Sequence, residues 1–115
     1  MNNVSSGKYG EKIASDYLIK KGYKVIFMNY RTPVGEIDII AKDGEYTVFI
    51  EVKYRRHMEF GYPREAVGYK KQRRIIKSAL FYINKSNSED NYRFDVIEII
   101  DMNEINISHI ENAFY

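Results

Sequence analysis

Apolar positions alternate with polar ones in two different periods along this chain, and the change of period marks its elements. Near the start, Tyr9, Ile13 and Tyr17 recur four apart, as do Gly10, Ala14 and Leu18. This spacing predicts a helix capped by Ser5 or Ser6, running to about Lys21, stopped by Gly22, with both stripes facing inward. A strand is expected over residues 24–30. Two apolar runs follow, 35–41 and 47–54, with Asp43-Gly44 between them as a hairpin signal. Residues 55–62 read as a loop, and Pro63 suits the start of a second helix over about 64–85. Its predicted apolar face is Val67, Ile75, Ile76, Ala79, Leu80 and Ile83. After a polar turn at 86–91, strands are expected over 92–100 and 104–110, joined at Asp101-Met102-Asn103. The order is αβββαββ, an α/β class with a central sheet flanked by helices.

The central hairpin carries acids inside its apolar runs. Successive strand side chains point to opposite faces. One face thus collects Ile37, Ile39, Ala41, Val48, Ile50 and Val52; the other collects Glu36, Asp38, Ile40, Phe49, Glu51 and Lys53. A two-residue loop at Asp43-Gly44 makes Glu51 the diagonal neighbour of Asp38, and a four-residue loop over 43–46 sets the two directly opposite. Either places their Cβ atoms about 5–8 Å apart on one face. Like charges at that spacing demand a proton, a cation or a basic neighbour. Mg²⁺ suits them, since it takes one or two carboxylates, waters and phosphate oxygens. Lys53 shares the face and is placed to position water or steady charge developing at phosphorus. The competing account is a structural Glu51–Lys53 or Asp38–Lys53 ion pair.

Composition narrows the classes. At 115 residues the chain fits one domain, and a 44% hydrophobic share is enough for a core. The absence of cysteine excludes disulfides, thiolate zinc sites and cysteine nucleophiles. No apolar run reaches the roughly 18 residues of a membrane span, and the first residues lack the apolar stretch of a secretory signal. A soluble, cytoplasmic protein is the expectation. Residues 51–77 hold nine Lys/Arg against three acids, whereas residues 78–115 hold two against seven acids. A basic middle beside an acidic tail suits one face to a polyanion, although a solvated charged helix accounts for the charge alone.

Gly35-Glu36-Ile37-Asp38 followed by Phe49-Ile50-Glu51-Val52-Lys53 resembles the PD-(D/E)xK nuclease signature, with Ile37 where that signature has proline. Gly10-Glu11, Ala14, Tyr17-Leu18, Asn29-Tyr30-Arg31, Arg93-Phe94-Asp95-Val96 and Asn112-Ala113-Phe114 extend the resemblance to the YraN family over nearly the whole chain. These are small bacterial proteins regarded as endonucleases related to archaeal Holliday-junction resolvases. The resemblance implies a restriction-endonuclease-like αβββαβ core, Glu11 as a further acid at the metal site, and a two-fold dimer acting on branched DNA.

The expected site is therefore Asp38, Glu51 and Lys53 as catalytic residues, with Asp38, Glu51 and Glu11 holding Mg²⁺ or Mn²⁺. Glu36 and Gln72 are candidates to support the ligands. Arg31, Arg55, Arg56, Lys70, Lys71, Arg73, Arg74 and Lys77 are candidate phosphate contacts, giving affinity without sequence preference; Arg64 is a weaker one. His57 is a candidate for proton transfer, His109 is assigned to structure, and Asp95 to an ion pair with Arg93. The function expected is a metal-dependent endonuclease. Its rivals are a nucleic-acid-binding module of nuclease fold with little turnover, and a structural subunit whose charged face is an interface.

Overall fold

The first helix, α1 (Asn3–Lys20), ends where the sequence provides for it. Gly22 takes φ 102°, open to glycine at no steric cost, and the Tyr23 N–H returns to the Leu18 carbonyl at 2.9 Å. In this computed structural model residues 3–56, 67–87 and 89–115 are described, residues 3–6 by their backbone only. Five strands and a second helix follow: β1 (Lys24–Thr32), β2 (Gly35–Asp43), β3 (Tyr46–Arg55), α2 (Tyr69–Ser86), β4 (Asn91–Asp101) and β5 (Ile105–Phe114). This is the expected αβββαββ order.

The strands form one mixed sheet in the order β1-β2-β3-β4-β5. Neighbours are antiparallel except β3 and β4, which run parallel because α2 carries the chain back between them. The architecture is compatible with a restriction-endonuclease-like core. Ala14, Leu18 and Tyr23 pack on one sheet face against Ile39, Ala41, Val48, Ile50, Ile97 and Ile99. On the other face, Ala79 of α2 packs against Ile37, Ile40 and Phe49. Each fully buried Ile, Leu or Phe contributes on the order of 2 kcal/mol.

Four sequence expectations are corrected. Tyr9 does not face inward. It is exposed and meets the Tyr54 ring edge-on, because Gly10 occupies the line of closest approach. A Cβ on Gly10 would stand 2.6 Å from the Cβ of Tyr54. Helix α2 begins at Tyr69, since Gly68 is an extended N-cap and Val67 lies outside the helix; glycine is a poor helix-interior residue and a tolerable cap. The Pro63 start falls outside the described residues. Leu80, expected on the apolar face, is half exposed; the residues α2 buries are Ile75, Ser78 and Ala79.

Ile37 is the fourth. Strict alternation put it with Ile39 and Ala41, yet it clusters under α2. The cause is a split in the sheet. β2 stays paired with β1 down to Thr32–Gly35, whereas its pairing with β3 runs only from Asp43–Tyr46 to Ile39–Ile50. The first residues of β2 follow β1 and turn away from β3.

Candidate metal centre

The split between β2 and β3 is where the acids meet. The hairpin loop is Gly44-Glu45, with Asp43 paired to Tyr46 and Gly44 at φ 60°. This register sets Asp38 one step beyond the Ile39–Ile50 pair, at the level of Glu51, as the four-residue alternative would have done. In the gap the Val52 N–H donates to Asp38 Oδ2 at 2.8 Å. Glu51 points from β3 towards α2 and is 5% exposed. Burial first, then the charge of Glu51, pushes the Asp38 carboxyl up to about 8; the Val52 N–H opposes this and Glu11 adds to it.

Two further acids close on Asp38. Single carboxylate oxygens of Glu11, Glu36 and Asp38 all lie within 4.8 Å of one another. Glu11 comes from α1 and Glu36 from β2, and one side chain sorts them. The amide of Asn29 donates to Glu11 Oε1 at 2.9 Å and to Glu36 Oε1 at 3.1 Å. Asn29 falls between the pairs Met28–Ile39 and Tyr30–Ile37, at the level of Asp38, with φ 52°. Asparagine tolerates this left-handed backbone better than most residues. No role for Asn29 was expected; an asparagine interrupting an apolar strand was the available signal.

The cleft facing the split is about 370 Å³ and is lined by Glu36, Asp38, Glu51, Lys71, Arg74 and Ile75, with Val34 and Gly35 at its rim. Helix α2 is seated over it by the β1–β2 turn. The Thr32 hydroxyl donates to the Gly35 carbonyl at 2.9 Å and lies 3.0 Å from Ser78 Oγ, which is fully buried. With α2 so fixed, Lys71 Nζ meets Glu51 Oε2 at 2.5 Å.

The expected residues therefore separate. Asp38, Glu51, Glu11 and Glu36 converge. Lys53 lies on the same face of β3 as Glu51, half-buried and in register with the buried Glu98 of β4. Glu98 was not singled out from the sequence. Lys71 contacts a carboxylate where a phosphate contact was expected, and Arg74 borders the cleft. Arg31 pairs with Glu36 at 3.5 Å. Lys70, Arg73, Arg74 and Lys77 line a separate groove of about 360 Å³ with Tyr69. Gln72 does not reach the acids; its side-chain amide donates to the Val67 carbonyl at 2.7 Å. Arg55 ends β3 half-buried and Arg56 is exposed beyond it. His57 and Arg64 lie outside the described residues.

The donor set fits a hard divalent cation. All the candidate ligands are carboxylate oxygens, and those of Glu11, Glu36 and Asp38 lie within 4.8 Å of one another, close to the about 3–4 Å between oxygens sharing one Mg²⁺.

A separate polar network lies at the other end of the α1 face. Arg93 donates to both oxygens of Asp95, Nε to Oδ1 at 3.0 Å and Nη2 to Oδ2 at 2.9 Å, so the expected ion pair is present. His109 Nε2 stands 2.7 Å from Asp95 Oδ2, and the Asn112 N–H donates to Oδ1 at 2.9 Å. Burial works against the Asp95 charge, yet these partners outweigh it and hold the carboxyl below its usual range. None of these residues borders the acidic cleft.

Residues 10–99 match the family described as "Uncharacterised protein family UPF0102". The chain is 53% identical over 115 residues to a UPF0102 protein of Thermodesulfovibrio yellowstonii, covering all of both chains. It is 50% identical to a UPF0102 protein of Clostridioides difficile, covering 99% of this chain and 100% of that one. A relative in Caldicellulosiruptor bescii is 46% identical over 96% of this chain and 94% of its own. With a matched segment spanning most of its length and relatives this similar from end to end, the chain belongs to the UPF0102 family.

Proposed function

We propose that this protein is a Mg²⁺- or Mn²⁺-dependent endonuclease hydrolysing DNA phosphodiesters. The observation that carries the reading is the pairing of Asp38 with Glu51 in the split between β2 and β3. Glu11 and Glu36 close in beside them, under a helix wall that carries Lys71 and Arg74. Two carboxylates this close together in a cleft are a poor structural element and a good cation site.

Asp38 and Glu51 would hold the cation, with Glu11 and Glu36 completing its shell. A cation bound there supplies acidity to water and neutralises charge on the phosphate. Lys53 stands on the same face as Glu51. Its ammonium hydrogen-bonds the attacking water and orients it in line with the leaving oxygen. The new bond forms from water oxygen to phosphorus as the bond to the leaving oxygen breaks; the water's proton would pass to bulk solvent, and the leaving oxygen would take one from it. Developing charge on the remaining phosphorus oxygens is met by Arg74 and Lys53.

The charge of α2 supports a polyanionic substrate. Lys70, Lys71, Arg73 and Arg74 crowd its first half, and its first turn holds no acid. Cations at a helix N-terminus oppose the macrodipole, so their placement costs stability that phosphate binding would offset. Among the described residues no helix is long and apolar enough to cross a membrane. A DNA substrate assigns the protein to the cytoplasm, and a symmetric branched substrate would suit a two-fold dimer.

The test is cleavage of labelled linear, flapped and four-way-junction DNA with Mg²⁺ or Mn²⁺. Wild type should cut, and Asp38→Ala and Lys53→Ala should each lose about 100-fold or more. Cleavage unchanged in both variants overturns the reading. Salt-sensitive DNA binding with no cleavage by any protein would move the binding module ahead.

A further inference from the structure

Lys71 stands on the residue that the metal reading needs most. Its Nζ lies 2.5 Å from Glu51 Oε2, with the lysine side chain 54% exposed and the glutamate 5%. The ammonium comes from α2, across the cleft, and not from the strand that carries Glu51. The helix beneath it is fixed: Ser78 is fully buried against Thr32, and Ile75 and Ala79 are packed. Lys71 therefore leaves Glu51 only by turning its own stem, which is already half in water.

We propose that Lys71 is an exchangeable counter-ion, competing with the divalent cation for Glu51 and passing to the substrate phosphate once that cation is bound. The inference rests on the metal-site reading above and concerns this lysine alone. Four carboxylates meet at the split, from Glu11, Glu36, Asp38 and Glu51. Lys71 gives Glu51 a single charge through one oxygen. A divalent ion brings two charges and engages several oxygens at once, so it displaces the ammonium. The released ammonium would stay in the cleft that Arg74 also lines, within reach of a substrate phosphate entering it. Lys71 is thus a positioning residue with two stations: it holds the Glu51 carboxylate in place before loading, and it adds a phosphate contact after it. The neighbouring Lys70, Arg73 and Lys77 line the outer groove and have no first station.

The experiment compares wild type, Lys71→Met, Lys71→Arg and Asp38→Ala by Mn²⁺ titration without DNA, followed by calorimetry or Mn²⁺ spin resonance. DNA binding is then measured in Ca²⁺ with a short duplex. Removing the competing charge should tighten Mn²⁺ binding about threefold in Lys71→Met, the scale of a partly exposed ion pair. Lys71→Arg should stay near wild type. The salt slope of DNA binding should fall by about one in Lys71→Met. Mn²⁺ affinity equal to or weaker than wild type in Lys71→Met, with Asp38→Ala abolishing binding, overturns the competition alone. An unchanged salt slope overturns the passage to phosphate. If wild type binds no Mn²⁺, the metal reading fails and this inference falls with it.

Discussion

The carboxylate of Asp38 accepts the backbone N–H of Val52, nitrogen to oxygen 2.8 Å, across the gap where β2 and β3 cease to pair. One side chain thus replaces a missing rung of the sheet and at the same time faces Glu51. The structural duty explains why the acid is tolerated inside an apolar strand; the company it keeps explains its proton.

That proton makes stability depend on pH. Burial and the Glu51 charge raise Asp38 from 3.8 to about 8. A carboxyl raised on folding binds its proton more tightly in the folded chain. Its contribution is therefore full below the unfolded value, and is lost as pH rises through the folded one. In the presence of a chelator, the unfolding free energy should fall by on the order of 2 kcal/mol between about pH 5 and pH 9, discounted because Asp38 is partly open to water. Asp38→Asn should flatten the profile. Urea midpoints across that range check this, and a wild-type profile as flat as the variant's would refute it.

The approach of α1 to β3 depends on Gly10. Its missing Cβ leaves room for Tyr54, whose own Cβ would lie 2.6 Å away. Gly10→Ala must push the helix off the sheet, and Glu11 is the next residue. We expect about 1–3 kcal/mol of destabilisation together with weaker Mn²⁺ binding, read by thermal melting and metal titration of the same preparation. Gly7→Ala, also in α1 but where a Cβ meets nothing within 4 Å, is the control: it should leave Mn²⁺ binding unchanged and raise stability by about 0.5–1 kcal/mol through helix propensity.

The pairing of Asp38 with Glu51 could be read from the sequence because strand parity and any even hairpin loop force it. The loop proved to be Gly44-Glu45, one residue along from the Asp43-Gly44 signal, and the conclusion survived the shift. Asn29 could not be read this way. Its role needs a left-handed backbone and the arrival of α1, neither of which is encoded locally. Nor could the sequence distinguish Lys71 from Lys70. Which cation turns inward depends on the rotation of α2, and the Thr32–Ser78 contact that sets it spans 46 residues. Ile37 changed sides for a related reason: alternation assumes an unbroken sheet, and the sheet splits at the site.

The Asp95 network should behave as a structural unit independent of the cleft. Asp95 is fully buried and compensates the nearly buried Arg93, while His109 and Asn112 tie β5 to the same carboxylate. Asp95→Ala leaves the guanidinium with Asp43 at 3.0 Å and Tyr23 at 2.6 Å, but it removes the bidentate partner and the acceptor for the Asn112 N–H, and should cost about 3 kcal/mol. Metal affinity of the folded fraction should be unchanged. Denaturant titration gives the first quantity, and Mn²⁺ titration at a temperature well below the melt gives the second.

The outer face of α2 should govern affinity without governing turnover. Lys70, Arg73 and Lys77 line one groove with Tyr69 and lie outside the acidic cleft. Each phosphate neutralised adds about 0.9 to the slope of log affinity against log salt on duplex DNA. The triple substitution Lys70→Ala, Arg73→Ala, Lys77→Ala should therefore make that slope shallower by about three, and weaken binding evenly across sequences. At saturating DNA the cleavage rate should stay within about threefold of wild type, because none of the three reaches the acids. Anisotropy titrations over a salt series with single-turnover cleavage separate the two effects. A collapsed rate at saturation would mean that the outer groove positions the scissile phosphate itself, and an unchanged slope would mean that DNA approaches by another face.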